Sequence, residues 1–111
     1  MTPLHRFKAE FFKALAHPLR LAILDALREG EKSVSQLIHE LRAEQSTLSQ
    51  QLALLKQKRL LESRREGTMV FYRPKDPEVY AFLDLGRRIF ERQLKENQVL
   101  LEALVEESHG D

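Results

Sequence analysis

The segment Gln45-Ser-Thr-Leu-Ser-Gln-Gln-Leu-Ala-Leu-Leu55 gathers hydroxyls and amides at its start and leucines behind them. Hydroxyls and amides both donate and accept hydrogen bonds, which is the chemistry needed to meet base edges and phosphate oxygens. Soon after it, Arg64-Arg-Glu-Gly-Thr68 sets two guanidiniums beside a turn, where planar forks suit phosphate. Ser46, Thr47, Ser49, Gln50 and Gln51 are therefore candidate DNA contacts, joined by Lys56, Arg64, Arg65 and Thr68. Gln50 and Gln51 are the expected base readers, because an amide pairs bidentately with adenine, whereas Ser46 and Thr47 suit a phosphate or a helix cap.

Other chemistries have little support. Zero cysteines exclude disulfides, thiolate ligands and a thiol switch. No glycine-rich phosphate loop, nucleophile elbow or His-Glu-x-x-His motif is present, so no enzymatic activity is expected. Four histidines remain: His5, His17, His39 and His109. His17 precedes Pro18 and reads as a helix cap, and His39 reads as a helix residue at or near the surface. His5 and His109 lie near the two ends of the chain.

The polar segment needs elements to hold it. Apolar spacing predicts a first helix over His5 to Ala16, and Pro18 starts a second that runs to about Arg28 before Gly30. A third helix is predicted over Ser33 to Leu41, with Ser33 or Ser35 as its cap, and Arg42 to Glu44 forms the turn. Ser46 to about Lys58 is the fourth helix, burying Leu48, Leu52, Leu55 and Ala53. Leu60 to Arg65 and Met69 to Arg73 read as two strands around a Glu-Gly turn in which Gly67 takes positive φ. From Glu78 to about Val105 a wide apolar stripe marks one long helix, extending roughly 42 Å at about 1.5 Å per residue.

The expected fold is mainly α with a small β-hairpin wing, a winged helix-turn-helix of order α-α-α-α-β-β-α. One domain spans residues 1–111, with the helix-turn-helix over about 33–58, the wing over about 60–73, and dimerisation helices over about 5–16 and 78–105. At this length a partner subunit helps stability, and Phe7, Phe11, Phe82, Ile89, Phe90 and Leu101 are the expected anchors of a homodimer.

The net charge of +1 hides an uneven distribution. Residues 1–41, 42–75 and 76–111 carry nets of +1, +5 and −5, so the basic middle suits phosphates and the acidic last third should point elsewhere. No apolar run approaches the roughly 20 residues of a membrane span and the start lacks a signal peptide, so a cytoplasmic protein with no membrane partner is expected.

At this point the chain resembles the arsenic-repressor (ArsR/SmtB) family of dimeric winged-helix repressors, over about Phe7 to Leu104. The matching stretches are Lys13-Ala-Leu-Ala-His-Pro-Leu-Arg-Leu-Ala-Ile-Leu24, Gln45 to Leu55 as quoted, and Leu60-Leu-Glu-Ser-Arg-Arg-Glu-Gly-Thr-Met-Val-Phe-Tyr-Arg73. The resemblance implies a sequence-specific transcriptional regulator, a repressor that holds an inverted-repeat operator on double-stranded DNA as a homodimer. It often has histidine where Gln51 stands. It also implies a metal or small-molecule effector. The family's thiolate site falls on Ser33 and Ser35, which disfavours soft ions. Its second site falls on Asp84, Gly86, Asn97 and Leu100, where only the carboxylate survives. No cofactor is required. What remains is a divalent effector, nickel or zinc, through His5 and His109 with Glu106 or Glu107, against the plainer reading that both imidazoles are simply solvated. The rival reading of the whole pattern is a winged-helix protein-interaction module, against which the net of +5 over residues 42–75 argues.

Overall fold

The computed structural model describes residues 1–109, with side chains through Glu107. Met1–Pro77 form one compact unit, and the chain from Glu78 forms a second.

Helix α1 (Pro3–Leu15) begins two residues earlier than apolar spacing alone predicts, because Thr2 caps it. The Thr2 Oγ1 accepts from the His5 N–H at 3.2 Å, and His5 Nδ1 accepts from the Thr2 N–H at 3.3 Å. This reciprocal pair satisfies two donors that a helix start leaves open. Helix α2 (Pro18–Ala26) opens on His17, whose Nδ1 accepts from the Leu19 N–H at 3.1 Å. The path then tightens into a 3₁₀ turn, Leu27–Glu29, so the α-helix stops short of the predicted Arg28. Gly30, at φ 143°, takes a conformation that a side chain would resist.

A two-residue strand β1 (Lys32–Ser33) follows, which the sequence pattern did not reveal. Ser33, rather than Ser35, caps helix α3 (Val34–Leu41): its Oγ accepts from the Gln36 N–H at 3.1 Å while Gln36 Oε1 accepts from the Ser33 N–H at 2.8 Å. Arg42 turns left-handed at φ 51° to end α3, and helix α4 runs over Gln45–Gln57. It ends in a second left-handed residue, Arg59 at φ 62°, with the Leu60 N–H bonded to Leu55 O at 2.9 Å and the Arg59 N–H to Lys56 O at 3.0 Å. That bond pair closes the helix end in the Schellman pattern and turns the chain sharply into the wing.

Strands β2 (Leu61–Glu66) and β3 (Met69–Pro74) pair antiparallel, with Glu66 opposite Met69, so Gly67 and Thr68 alone make the turn. Gly67 stands first at φ 61°, as expected of a two-residue hairpin loop with glycine in its first place. The predicted two-stranded ribbon is in fact a three-stranded sheet, order β1-β3-β2, because Lys32 and Ser33 pair with Tyr72 and Phe71. This third strand fastens the wing to the start of α3.

The centre of this unit's core is drawn from α2, the 3₁₀ turn, α3, α4 and β2. Ile23, Leu24, Leu27, Leu37, Leu48, Leu52, Leu55 and Leu61 are all buried, at 0–1% exposure. Each such side chain contributes about 1.5–3 kcal/mol relative to leaving it in water. Helix α5 (Glu78–His109) is 32 residues long and outruns the predicted end at Val105. Among the described residues no helix is long and apolar enough to cross a membrane.

Candidate nucleic-acid interface

The three leucines of α4 fix which way its polar side points. With Leu48, Leu52 and Leu55 fully buried, a turn of 3.6 residues throws Ser46, Ser49, Gln50 and Ala53 to the opposite side, and all four are exposed. Ala53 thus reverses the sequence expectation, which had it inside; its outward methyl extends the polar line with one apolar point. Neither Ser46 nor Thr47 caps the helix. Glu44 stands at the cap position without a side-chain bond to it, and the Thr47 hydroxyl donates to Glu44 Oε2 at 3.4 Å.

Gln51 departs from its predicted role. It is half-buried, and its Oε1 accepts from Arg20 Nε at 2.8 Å, so the amide oxygen needed for bidentate adenine pairing is already engaged. Arg20 in turn donates from Nη1 to Ala14 O at 3.2 Å and Lys13 O at 3.4 Å. Sequence reasoning missed Arg20, although a lone guanidinium inside the apolar run Pro18-Leu-Arg-Leu-Ala-Ile-Leu24 is a visible signal.

The wing separates its two arginines by the pleat, which sends successive side chains to opposite faces. Arg64 lies across from Phe71, with its guanidinium carbon 4.5 Å from the ring centre, a cation–π contact. It bonds Glu31 through Nε and Nη2, at 2.8 Å and 2.5 Å to Oε1, and Glu66 through Nη1 at 2.8 Å. The hydrogen bond from Arg64 holds the Glu31 carboxyl below its ordinary value, and the bonds to Glu31 and Glu66 push the Arg64 guanidinium still higher. Arg64 is therefore committed to carboxylates instead of presenting a free fork to phosphate as its sequence position suggested. Arg65 is exposed and has no partner among the described residues, and Thr68 is exposed at the turn. Lys56 donates to Ser63 Oγ at 2.7 Å, tying α4 to β2, while its side chain stays at the surface. Glu31 carried no sequence signal, because its partner lies 33 residues away.

The family's thiolate position falls on a side chain with a structural role. Ser33 is a helix cap, and the described residues hold no cluster of three His, Cys, Asp or Glu side chains that could bind an ion. His5 is exposed and has its Nδ1 in the α1 cap, which leaves Nε2, and the His109 side chain lies outside the described residues. Of the expected dimer anchors, Phe7, Phe82, Ile89, Phe90 and Leu101 are exposed and Phe11 is half-buried.

The model of the family "Bacterial regulatory protein, arsR family" matches residues 17–63, which run from the α2 cap into the wing. An uncharacterized HTH-type transcriptional regulator of Mycobacterium tuberculosis, Rv0081, is 39% identical over 103 residues, covering 92% of this chain and 90% of that one. This chain belongs to the ArsR family. The crystal structure of Rv0081 superposes on it with a TM-score of 0.81 at 38% identity, covering 87% of this chain and 98% of that one. The homodimeric winged helix-turn-helix DNA-binding domain Mb0332 from Mycobacterium bovis, a solution structure, gives 0.73 at 35% identity over 82% of this chain and 84% of that one. A biofilm growth-associated repressor of Agrobacterium fabrum is 38% identical over 82 residues, 74% of this chain and 70% of that one. Membership of the ArsR family and the winged helix-turn-helix fold agree with the element order and with the sequence expectation.

Proposed function

We propose that this chain is a sequence-specific DNA-binding transcriptional regulator that acts as a homodimer on an inverted-repeat operator, repressing by occupying it. The observation that carries this reading is the outward line Ser46, Ser49, Gln50 and Ala53, held rigid from behind by three fully buried leucines. Its width and chemistry suit a major groove: Gln50 pairs with adenine, Ala53 meets a thymine methyl, and the serines hold phosphate oxygens. Arg65 and Thr68 on the wing reach the flanking backbone, and Lys56 adds charge beside them. The homodimeric Mb0332 domain and the exposed phenylalanines of this chain support pairing, which sets two reading helices about 34–36 Å apart.

Gel retardation on genomic fragments across a salt series tests this. Saturable binding whose log affinity falls with log salt is expected, each neutralised phosphate adding about −0.9 to the slope. Failure to shift any fragment, together with capture of a protein partner through α4, would favour the interaction module instead. For a nickel or zinc effector the α1 cap leaves Nε2 of His5, together with His109. Operator affinity that nickel, zinc and cobalt all leave unchanged removes that reading.

A further inference from the structure

We infer that Arg20 is a positioning residue that fixes the reading helix α4 against α1, and thereby sets the operator spacing that a dimer selects. The inference rests on the DNA-binding homodimer proposed above.

The geometry is a three-helix tie. Arg20 leaves α2 half-buried, and its one planar fork bonds both neighbours: Nε to Gln51 Oε1 of α4 at 2.8 Å, and Nη1 to Ala14 O of α1 at 3.2 Å. The Ala14 carbonyl belongs to the last turn of α1, where helix geometry supplies no acceptor's partner, so the guanidinium satisfies a group that would otherwise need water. Hydrogen bonds from a charged donor are about twice as strong as neutral ones, and the rigid fork cannot shift toward one helix without losing the other.

A second polar contact between α1 and the end of α4 is weaker. Lys58, just beyond α4, stands 3.9 Å from Glu10 of α1 with both side chains well exposed, a pair of small value. Toward the start of α1 an open groove lined by Phe7, Glu10, Phe11, Ala14 and Lys58 lies beside this pair, while at its end Ala14 and Leu15 are buried. Arg20 thus adds a directional tie, beyond apolar packing, to the angle between α1 and α4. Phe7 and Phe12 lie exposed on α1, where a second subunit can cover them, so a change in that angle moves the reading helix relative to the two-fold axis. Half-sites must lie close to one helical turn apart, so a small tilt changes which spacing fits.

The test is selection from inverted repeats whose central spacer is varied one base pair at a time, with wild-type protein, Arg20→Ala and Gln51→Leu in parallel. Wild-type protein should select one spacing. Each variant should remain dimeric by sedimentation and helical by circular dichroism, yet lose at least about tenfold in preference for that spacing over its neighbours. The double variant should be no worse than Arg20→Ala alone, since that substitution already cuts the bond to Gln51. If Arg20→Ala fails to fold, Gln51→Leu alone carries the test, because it cuts the bond to α4 and leaves the Arg20 bonds to the α1 carbonyls in place. Unchanged spacing preference in folded variants overturns the inference and leaves DNA binding intact. So does a loss confined to one base position in Gln51→Leu, which would return Gln51 to the groove. Wild-type protein that selects no repeat overturns the DNA reading and this inference together.

Discussion

Arg64 of the wing and Glu31 beside β1 form a two-point bond, Nε and Nη2 of the guanidinium to one carboxylate, across 33 residues of chain. Phe71 lies under the guanidinium and Glu66 takes its remaining side. Arg64, one of two wing arginines expected to meet phosphate, therefore works as a clasp between the wing and the segment leading into α3. The neighbouring Arg65 is left as the free charge.

This division of labour separates the two arginines by experiment. Arg65→Ala should weaken binding to every sequence and flatten the slope of log affinity against log salt by about 0.9, one phosphate contact, with no change in melting temperature. Arg64→Ala should lower the melting temperature and leave that slope nearly unchanged. A flattened slope in Arg64→Ala with an unaltered melting temperature would return Arg64 to the phosphate backbone.

The clasp also has a pH signature. Glu31 is held below its ordinary value of 4.5 in the folded chain, so its contribution is present above that value and is lost as pH falls through the depressed one. Melting temperatures measured from pH 6 down to about pH 3 should fall more steeply for the wild type than for Glu31→Gln, which lacks the titrating group. Parallel profiles would show that the bond contributes no net stability.

Behind the reading face, Leu52→Ala removes a side chain with no solvent exposure from the middle of α4. Large-to-small changes at such sites cost about 2–5 kcal/mol, readable as a shifted midpoint in urea. A loss below about 1 kcal/mol would mean that α4 is not seated as described.

Phe90 on α5 is 62% exposed in the single chain and is a proposed anchor of the dimer. A buried, unpaired carboxylate is costly, so Phe90→Glu should yield monomers by sedimentation velocity, with weak operator binding. A persisting dimer would place the seam elsewhere.

The helices were legible because their signals are local. The leucine spacing of α4 placed Leu48, Leu52 and Leu55 inside, and Pro18 and Gly30 marked the bounds of α2 and its 3₁₀ extension. Ser46, Ser49 and Gln50 came out exposed for the same reason. Three of the departures involve partners distant in sequence. β1 is two residues long, too short for any periodicity, and exists because Tyr72 and Phe71 pair with it. Gln51 and Arg64 read as free because Arg20 and Glu31 lie 31 and 33 positions away. His5 was a different case: its partner Thr2 is three residues off, but histidine is not a usual third member of a capping box.

The DNA-facing role of α4 is tested most directly by contact mapping. The chain has no cysteine, so Gln50→Cys carries a single thiol that takes a photo-activated cross-linker at one defined point of the outward face. Bound to its selected operator, the labelled dimer should cross-link to bases at two positions related by a dyad and about one helical turn apart. Retained operator binding with no cross-link to any base would contradict the groove-facing role of this helix.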